Sequence, residues 1–276
     1  MTTKQNNNSK RFGNAWAYLF FSDTVQTEYR YIHSKGTREF LDVVLATSRN
    51  RGMSLSKDTE CWRAQLGSAK TAGVTSGYGV THFQKDIPYS PERMQPLPDR
   101  AKEGRANPKG IPFLYLSTNI QTAIQEIRPW LGTNISVAHF RTVRDLKIVD
   151  CSKNIHKLDG TGSDSLGPGL DKQETLSDHE IEEYAWSWID RAFSMPIDPS
   201  DDKADYVPTQ ILAELFRAEG YDGIIYNSLL AEGKNVALFD LNSAKLSDCK
   251  LYRVINIPPF EFQEVHQEYE SVFAEE

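Results

Sequence analysis

The sequence predicts an α+β fold, a single domain on a mixed sheet, and three observations carry that reading. Short apolar alternations at 113–116, 135–140 and 146–150 have the period of strands. Two long amphipathic stretches, beginning near Ser177 and Thr209, have the period of helices. The two kinds of element do not alternate regularly, as a doubly wound parallel fold would require, and no internal repeat is present.

The elements follow in order. The polar opening, Met1 to Asn8, is expected to fray. Residues 37–46 read as a helix, with Thr37 as N-cap, Phe40, Leu41, Val44 and Leu45 as its apolar stripe, and Gly52 as a stop. A strand at 62–66 opens the main domain. Residues 73–110 are rich in Gly and Pro and read as ordered loop, since proline removes ladder donors. The strand at 113–116 leads into a helix from about Ile120, capped by Thr118 or Asn119 and ended by Pro129, with Ala123, Ile124 and Ile127 inward and Glu126 on the flank. Strands at 135–140 and 146–150 precede a long insertion, 154–205, whose tract 159–169 has the composition of a flexible loop. Ser177-Asp178-His179-Glu180 is a capping box that opens the clearest helix, with Trp186 and Trp188 in its core positions. A second helix runs from Thr209 toward Gly220, and strands at 223–226, 236–239 and 251–255 complete the sheet. The chain therefore divides into a partly helical N-terminal extension (1–58), a main domain (59–256) and an acidic C-terminal tail (257–276).

Composition narrows the function classes. A formal net charge of −7 argues against a broad basic surface for nucleic acid or anionic membrane. No apolar run is long enough to cross a bilayer, and the N-terminus lacks an apolar signal core. Cys61, Cys151 and Cys249 are few and scattered, which fits a reducing cytoplasm. No glycine-rich nucleotide fingerprint and no phosphate-cradling P-loop occurs. His179-Glu180-Ile181-Glu182-Glu183 lacks the second histidine of a zinc protease, so no metal site is expected. Ser228 has no flanking glycines and is no hydrolase elbow. Self-association into a homo-oligomer is left open.

Four polar residues stand out in segments otherwise built for turns or core: Arg63, Arg105, Glu126 and Ser228. Taken singly, each has an ordinary explanation. An arginine in a loop is solvated, a glutamate on a helix flank faces water, and a serine after a strand bonds backbone. Together, two guanidinium groups beside a carboxylate and a hydroxyl suit an anionic sugar-phosphate ligand that develops positive charge as it reacts.

Their ordered setting resembles the RES family, named for its Arg, Glu and Ser. The resemblance rests on Arg63 in an early strand, the loop Gly104-Arg105-Ala106-Asn107-Pro108-Lys109-Gly110, and the strand Leu114-Tyr115-Leu116-Ser117. Ala123 to Glu126 and Gly220-Tyr221-Asp222-Gly223-Ile224-Ile225-Tyr226-Asn227-Ser228 follow, with Asn235 and Phe239 beyond. It spans about 62–239. The chain departs from it at Ala106, where an aromatic often follows the arginine, and in the long insertion.

What the resemblance implies is a core similar to the ADP-ribosyltransferases and an enzyme that degrades NAD⁺ as a toxin. Glu126, Arg63 and Ser228 are then the expected catalytic residues, and Arg105, Tyr115 and Asn235 the expected substrate-binding ones. NAD⁺ is substrate, no cofactor is required, and inorganic phosphate is a candidate co-substrate. The expected partner is an antitoxin with a helix-turn-helix domain. Transfer of ADP-ribose to a macromolecule and a non-catalytic binding module remain the alternatives.

Overall fold

A computed structural model of the protein describes residues 10–74, 82–98, 100–154, 175–195 and 203–256. The opening residues 1–9, the tract 159–169 and the acidic residues 261–276 lie outside the described residues. The strands of the described residues are β1 (Gly52–Leu55), β2 (Glu60–Leu66), β3 (Ala69–Val74), β4 (His82–Ile87), β5 (Leu114–Ser117), β6 (Asn134–Thr142), β7 (Leu146–Cys151), β8 (Gly223–Asn227), β9 (Lys234–Leu238) and β10 (Ala244–Arg253). Eight of them form one sheet in the order β1-β7-β8-β9-β5-β2-β6-β10, while β3 and β4 form a separate ribbon. Within the large sheet β7 and β8 are parallel and the other neighbours antiparallel. A parallel pair needs a long crossover, and helices α4 (Asp178–Ser194) and α5 (Val207–Ala218) lie within it. The architecture is the expected α+β with a mixed sheet.

Helices α1 (Ala17–Thr27), α2 (Lys35–Ser48), α4 and α5 share one core with β7, β8 and β9, including Phe21, Val44, Trp186, Phe216, Ile224 and Ala237. The opposite face of the sheet buries Leu114, Leu116, Phe140, Ile148, Val236 and Leu238. Helix α3 (Ile120–Glu126) packs Ala123 against Ala64, Ile135 and Val137 of β2 and β6. Thus α4 and α5 cover one half of the sheet and α3 the other. The sheet itself is weakest between those halves: β2 and β5 are paired only at Trp62↔Ser117. Beyond that rung the two strands part, and the cleft described below opens there.

Local chemistry explains where the sequence reading and the structure differ. Helix α2 starts earlier than expected because Ser34, not Thr37, is its N-cap: the Ser34 hydroxyl accepts from the Thr37 amide at 3.1 Å. A 3-10 turn continues α2 to Arg51, and Gly52 closes it as the first residue of β1. Helix α1 was not foreseen. Its buried residues, Tyr18, Phe21 and Val25, have helical spacing, but exposed Leu19 and Phe20 blur the stripe and Trp16 provides no side-chain cap. The 73–110 loop begins as a hairpin, because the prolines start only at Pro88 and leave His82–Ile87 free to pair with β3. Helix α3 ends at Glu126, three residues before Pro129, and Arg128 between them adopts φ 46°. Strand β10 begins at Ala244 rather than Leu251. It is an edge strand, and its exposed charges and a register shift at Leu246/Asp248 hide the alternation. Helix α5 starts at Val207 with Pro208 in its first turn, where proline is tolerated. The capping box at Ser177 and Glu180 and the burial of Trp186 and Trp188 are as expected.

Candidate active site

Glu126 is the last residue of α3, where the helix carbonyls leave partial negative charge that disfavours a carboxylate. Two donors offset this. The Ser228 hydroxyl and the Asn235 amide both donate to Glu126 Oε1, each at 2.6 Å. Bonds this short to an ionised acceptor are of the stronger, charge-assisted kind. Glu126 Oε2 carries no hydrogen bond among the described residues and is free for another partner.

The sheet brings those donors to Glu126. Antiparallel register sets Tyr226 opposite Asn235, Asn235 opposite Ser117, and Ser117 opposite Trp62. Directly opposed residues share a face, so this polar rung crosses four strands on the α3 side of the sheet. The Ser117 hydroxyl donates to Asn235 Oδ1 at 2.8 Å, which turns the amide NH₂ toward Glu126. Ser117 and Asn235 are both buried, so the orientation is held without competing water. Gly233, in the β8–β9 turn, completes the fit: a Cβ there would collide with Thr122 and lie 2.6 Å from Asn119 Nδ2, both at the N-terminus of α3.

Arg63 lies on β2 where that strand parts from β5. Its Nη1 donates to the Tyr115 carbonyl at 3.2 Å, a carbonyl that the interrupted ladder leaves to a side chain. Its Nε is buried without a hydrogen-bond partner among the described residues, and burial pushes the guanidinium below its usual pKa. Arg105 sits opposite, with Nη1 donating to the Ala192 carbonyl at 3.2 Å and to the Met195 carbonyl. It thereby satisfies carbonyls at the end of α4 and is also 5.8 Å from the Tyr226 ring centroid.

The Arg105 loop is held in a fixed shape. Asn107 Nδ2 donates to the carbonyls of Lys102, Pro108 and Ile111, and Gln210 of α5 donates to those of Gly104 and Asn107. The Tyr115 hydroxyl donates to Asn107 Oδ1 at 2.7 Å and accepts from the Ala106 amide at 3.0 Å. A side chain at Gly104 would lie 2.8 Å from that hydroxyl, so the backbone must be bare there. Burial pushes the Tyr115 phenol well above its usual pKa.

The six sequence-derived residues therefore form two adjoining groups. Arg63, Arg105 and Tyr115 line a cleft of about 780 Å³. Glu126, Ser228 and Asn235 form a hydrogen-bonded cluster beside it, outside its lining. Tyr226 joins the two, lining the cleft, pairing with Asn235 and interacting electrostatically with both Arg105 and Glu126. Ser117, Asn107 and Tyr226 were not singled out from sequence. Strand alternation was the available signal: Ser117 shares a face with Tyr115, and Tyr226 with Ser228, each two residues apart. Among the described residues no three His, Cys, Asp or Glu side chains come together as metal ligands.

The RES domain family model matches residues 78–262, about two-thirds of the chain. That interval takes in Arg105, Tyr115, Glu126, Ser228 and Asn235 and leaves Arg63 outside. No curated protein matches the sequence. Among solved structures, a chain of the M. tuberculosis MbcT–MbcA toxin–antitoxin complex is similar over 76% of this chain and 92% of that one, with 12% identity and a TM-score of 0.37, too slight a likeness to argue from.

Proposed function

The chain belongs to the RES domain family, and from that premise and the geometry of its cleft we propose that it is a toxin that cleaves the nicotinamide–ribose bond of NAD⁺. The observation that carries the reading is the Glu126 carboxylate, held by Ser228 and Asn235 through one oxygen, with the other unbonded, beside a cleft bearing two arginines. A pyrophosphate suits those arginines, because guanidinium forks match phosphoryl oxygens in bidentate, charge-assisted bonds. Arg63 Nε, buried at the cleft wall, has no acceptor among the described residues, so that guanidinium is not committed to a counter-charge.

In the proposed reaction the bond between ribose C1′ and the pyridinium nitrogen breaks, and its electron pair leaves with neutral nicotinamide. Positive charge then builds on the ribose. The Glu126 carboxylate stabilises it electrostatically and accepts a ribose hydroxyl on Oε2. Because the leaving group departs from a cationic ring, no strong general acid is needed. Water adds to C1′ and releases a proton to give ADP-ribose. Alternatively, inorganic phosphate adds and gives the sugar 1-phosphate.

Such an enzyme acts where NAD⁺ is held, in the cytoplasm, and its own cell must restrain it. An antitoxin with a helix-turn-helix domain, blocking the arginine-lined cleft, is the restraint that the family resemblance implies. Incubating the purified protein with NAD⁺, with and without phosphate, and identifying the products by mass spectrometry tests the chemistry. Free nicotinamide with ADP-ribose means hydrolysis, a sugar phosphate means phosphorolysis, and label on a macromolecule means transfer. Intact NAD⁺ in every arm overturns the proposal. Expression of the chain alone should arrest growth, and a co-encoded partner should relieve the arrest.

A further inference from the structure

Two tyrosines border the cleft, and their hydroxyls are in opposite situations. That of Tyr115 is occupied by Asn107 and the Ala106 amide. Tyr226 is 5% exposed, yet it lines the cleft, and its hydroxyl has no hydrogen-bond partner among the described residues. Its ring is fixed from two sides, with Phe193 of α4 at 6.1 Å between centroids and the Arg105 guanidinium at 5.8 Å. The backbone is fixed as well, because Tyr226 is registered against Asn235 in the middle of the sheet.

A tyrosine hydroxyl that has no protein partner among the described residues and opens on a cleft is a donor that a ligand can take up. We infer that the Tyr226 hydroxyl donates a hydrogen bond to bound substrate, to the phosphoryl oxygen nearest the reacting ribose. Position selects that atom. Tyr226 lies between Arg105, which faces the pyrophosphate in the proposed reading, and Glu126, which faces the ribose. The charge state agrees: burial, with Glu126 assisting and Arg105 opposing, pushes the phenol up to about 12, so at neutral pH it is a donor. The residue then joins the binding half of the site to the reacting half, and the inference rests on the NAD⁺ reading of the cleft.

Tyr226→Phe removes the hydroxyl and retains the ring that packs on Phe193. Wild type and variant are titrated calorimetrically with ADP-ribose, which carries the pyrophosphate and both riboses, and separately with nicotinamide, which carries neither. The expected result is a loss of ADP-ribose affinity of about ten- to hundredfold, that of a hydrogen bond to a charged group, with nicotinamide binding unchanged. The KM for NAD⁺ should rise in step. If both proteins bind ADP-ribose equally, the Tyr226 inference is overturned and the NAD⁺ reading stands. If wild type binds neither ADP-ribose nor NAD⁺, the reading of the cleft is overturned and the Tyr226 assignment with it.

Discussion

Arg51 is buried and Arg63 half-buried, and the protein treats them differently. Arg51 Nη1 donates to both oxygens of Asp190, at 2.9 and 3.0 Å, and to the Asp150 carbonyl at 3.0 Å. Its Nη2 donates to Asn154 Oδ1, and its guanidinium carbon lies 4.1 Å above Trp186. Asp190 also accepts from the Asn154 amide, so the network closes on itself and ties α4 to β7. Among the described residues Arg63 has a single hydrogen bond, to a carbonyl, and an unpartnered Nε. A buried charge closed on a counter-charge, as Arg51 is on Asp190, is saturated in that sense and has little left to offer a ligand, whereas Arg63, without one among the described residues, is unsaturated. On the proposed reading, that difference in hydrogen bonding marks the Arg51 cluster as structural and Arg63 as ligand-binding.

Breaking the saturated cluster should give the largest effect on stability. Arg51→Met leaves Asp190 buried without its counter-charge, which typically costs about 3–5 kcal/mol. Burial already pushes the Asp190 carboxyl up to about 6 against the pull of Arg51, so the isolated carboxylate is costly. Replacing both residues, as Arg51→Met with Asp190→Leu, should recover most of the loss, since an apolar pair needs no desolvation. Urea unfolding of the three proteins measures this. A single variant as stable as wild type would show that the network contributes nothing to folding.

Glu126→Gln addresses the other cluster. The amide keeps the shape and one acceptor oxygen but removes the negative charge that the proposed reaction sets against the ribose. NAD⁺ turnover should fall about a hundred- to a thousandfold while unfolding is little changed. Single-turnover kinetics and a melting curve on the same preparation separate the two. Undiminished turnover in a folded Glu126→Gln protein removes Glu126 from the mechanism.

The contrast between the clusters also marks what the sequence could convey. Glu126, Ser228 and Asn235 were legible because the motif order placed them together, and the structure joins them through one carboxylate oxygen. Ser117 lay in the same motif and went unnoticed, because its role depends on register: it orients Asn235 across two strands 118 residues apart in sequence. Arg51 was invisible for the same reason, as its partner is 139 residues away. Local signals such as the capping box at Ser177 were read directly from sequence, since both partners fall within one helical turn. What depends on pairing between distant segments, such as the parting of β2 from β5, has no local signature.

Arg63→Lys sharpens the comparison at smaller cost. Lysine keeps the charge but cannot hold the Tyr115 carbonyl and a phosphoryl oxygen in one planar fork. Affinity for NAD⁺ should fall about ten- to hundredfold, read as KM if the grip is uniform through the reaction and as kcat if it tightens at the transition state. Arg141, paired with Glu60 at 2.7 Å, and exposed Arg128 should accept the same change without effect. Equal sensitivity at all three positions would mean a diffuse electrostatic influence and no specific grip.

The smallest effect is expected at Asp222, a motif residue that belongs with the saturated cluster. Arg144 grips it at 2.6 and 3.0 Å, and it accepts from the Lys147 amide at 2.7 Å, which ties the turn before β8 to β7. Those contacts, led by the Arg144 bond, hold its pKa below the usual carboxylate value. A depressed folded pKa contributes stability that is present above the unfolded value, about 4, and is lost as pH falls through the folded one. The pair is half exposed on the arginine side, so screening limits its contribution to about 1 kcal/mol or less. Asp222→Asn should therefore cost that much at neutral pH, and its difference from wild type should close as pH falls below the carboxylate range, with NAD⁺ turnover unchanged throughout. Unfolding curves across that range, paired with turnover, decide it. A variant that keeps its stability and loses activity would place Asp222 among the unsaturated groups, and saturation would then fail as the criterion that tells the two clusters apart.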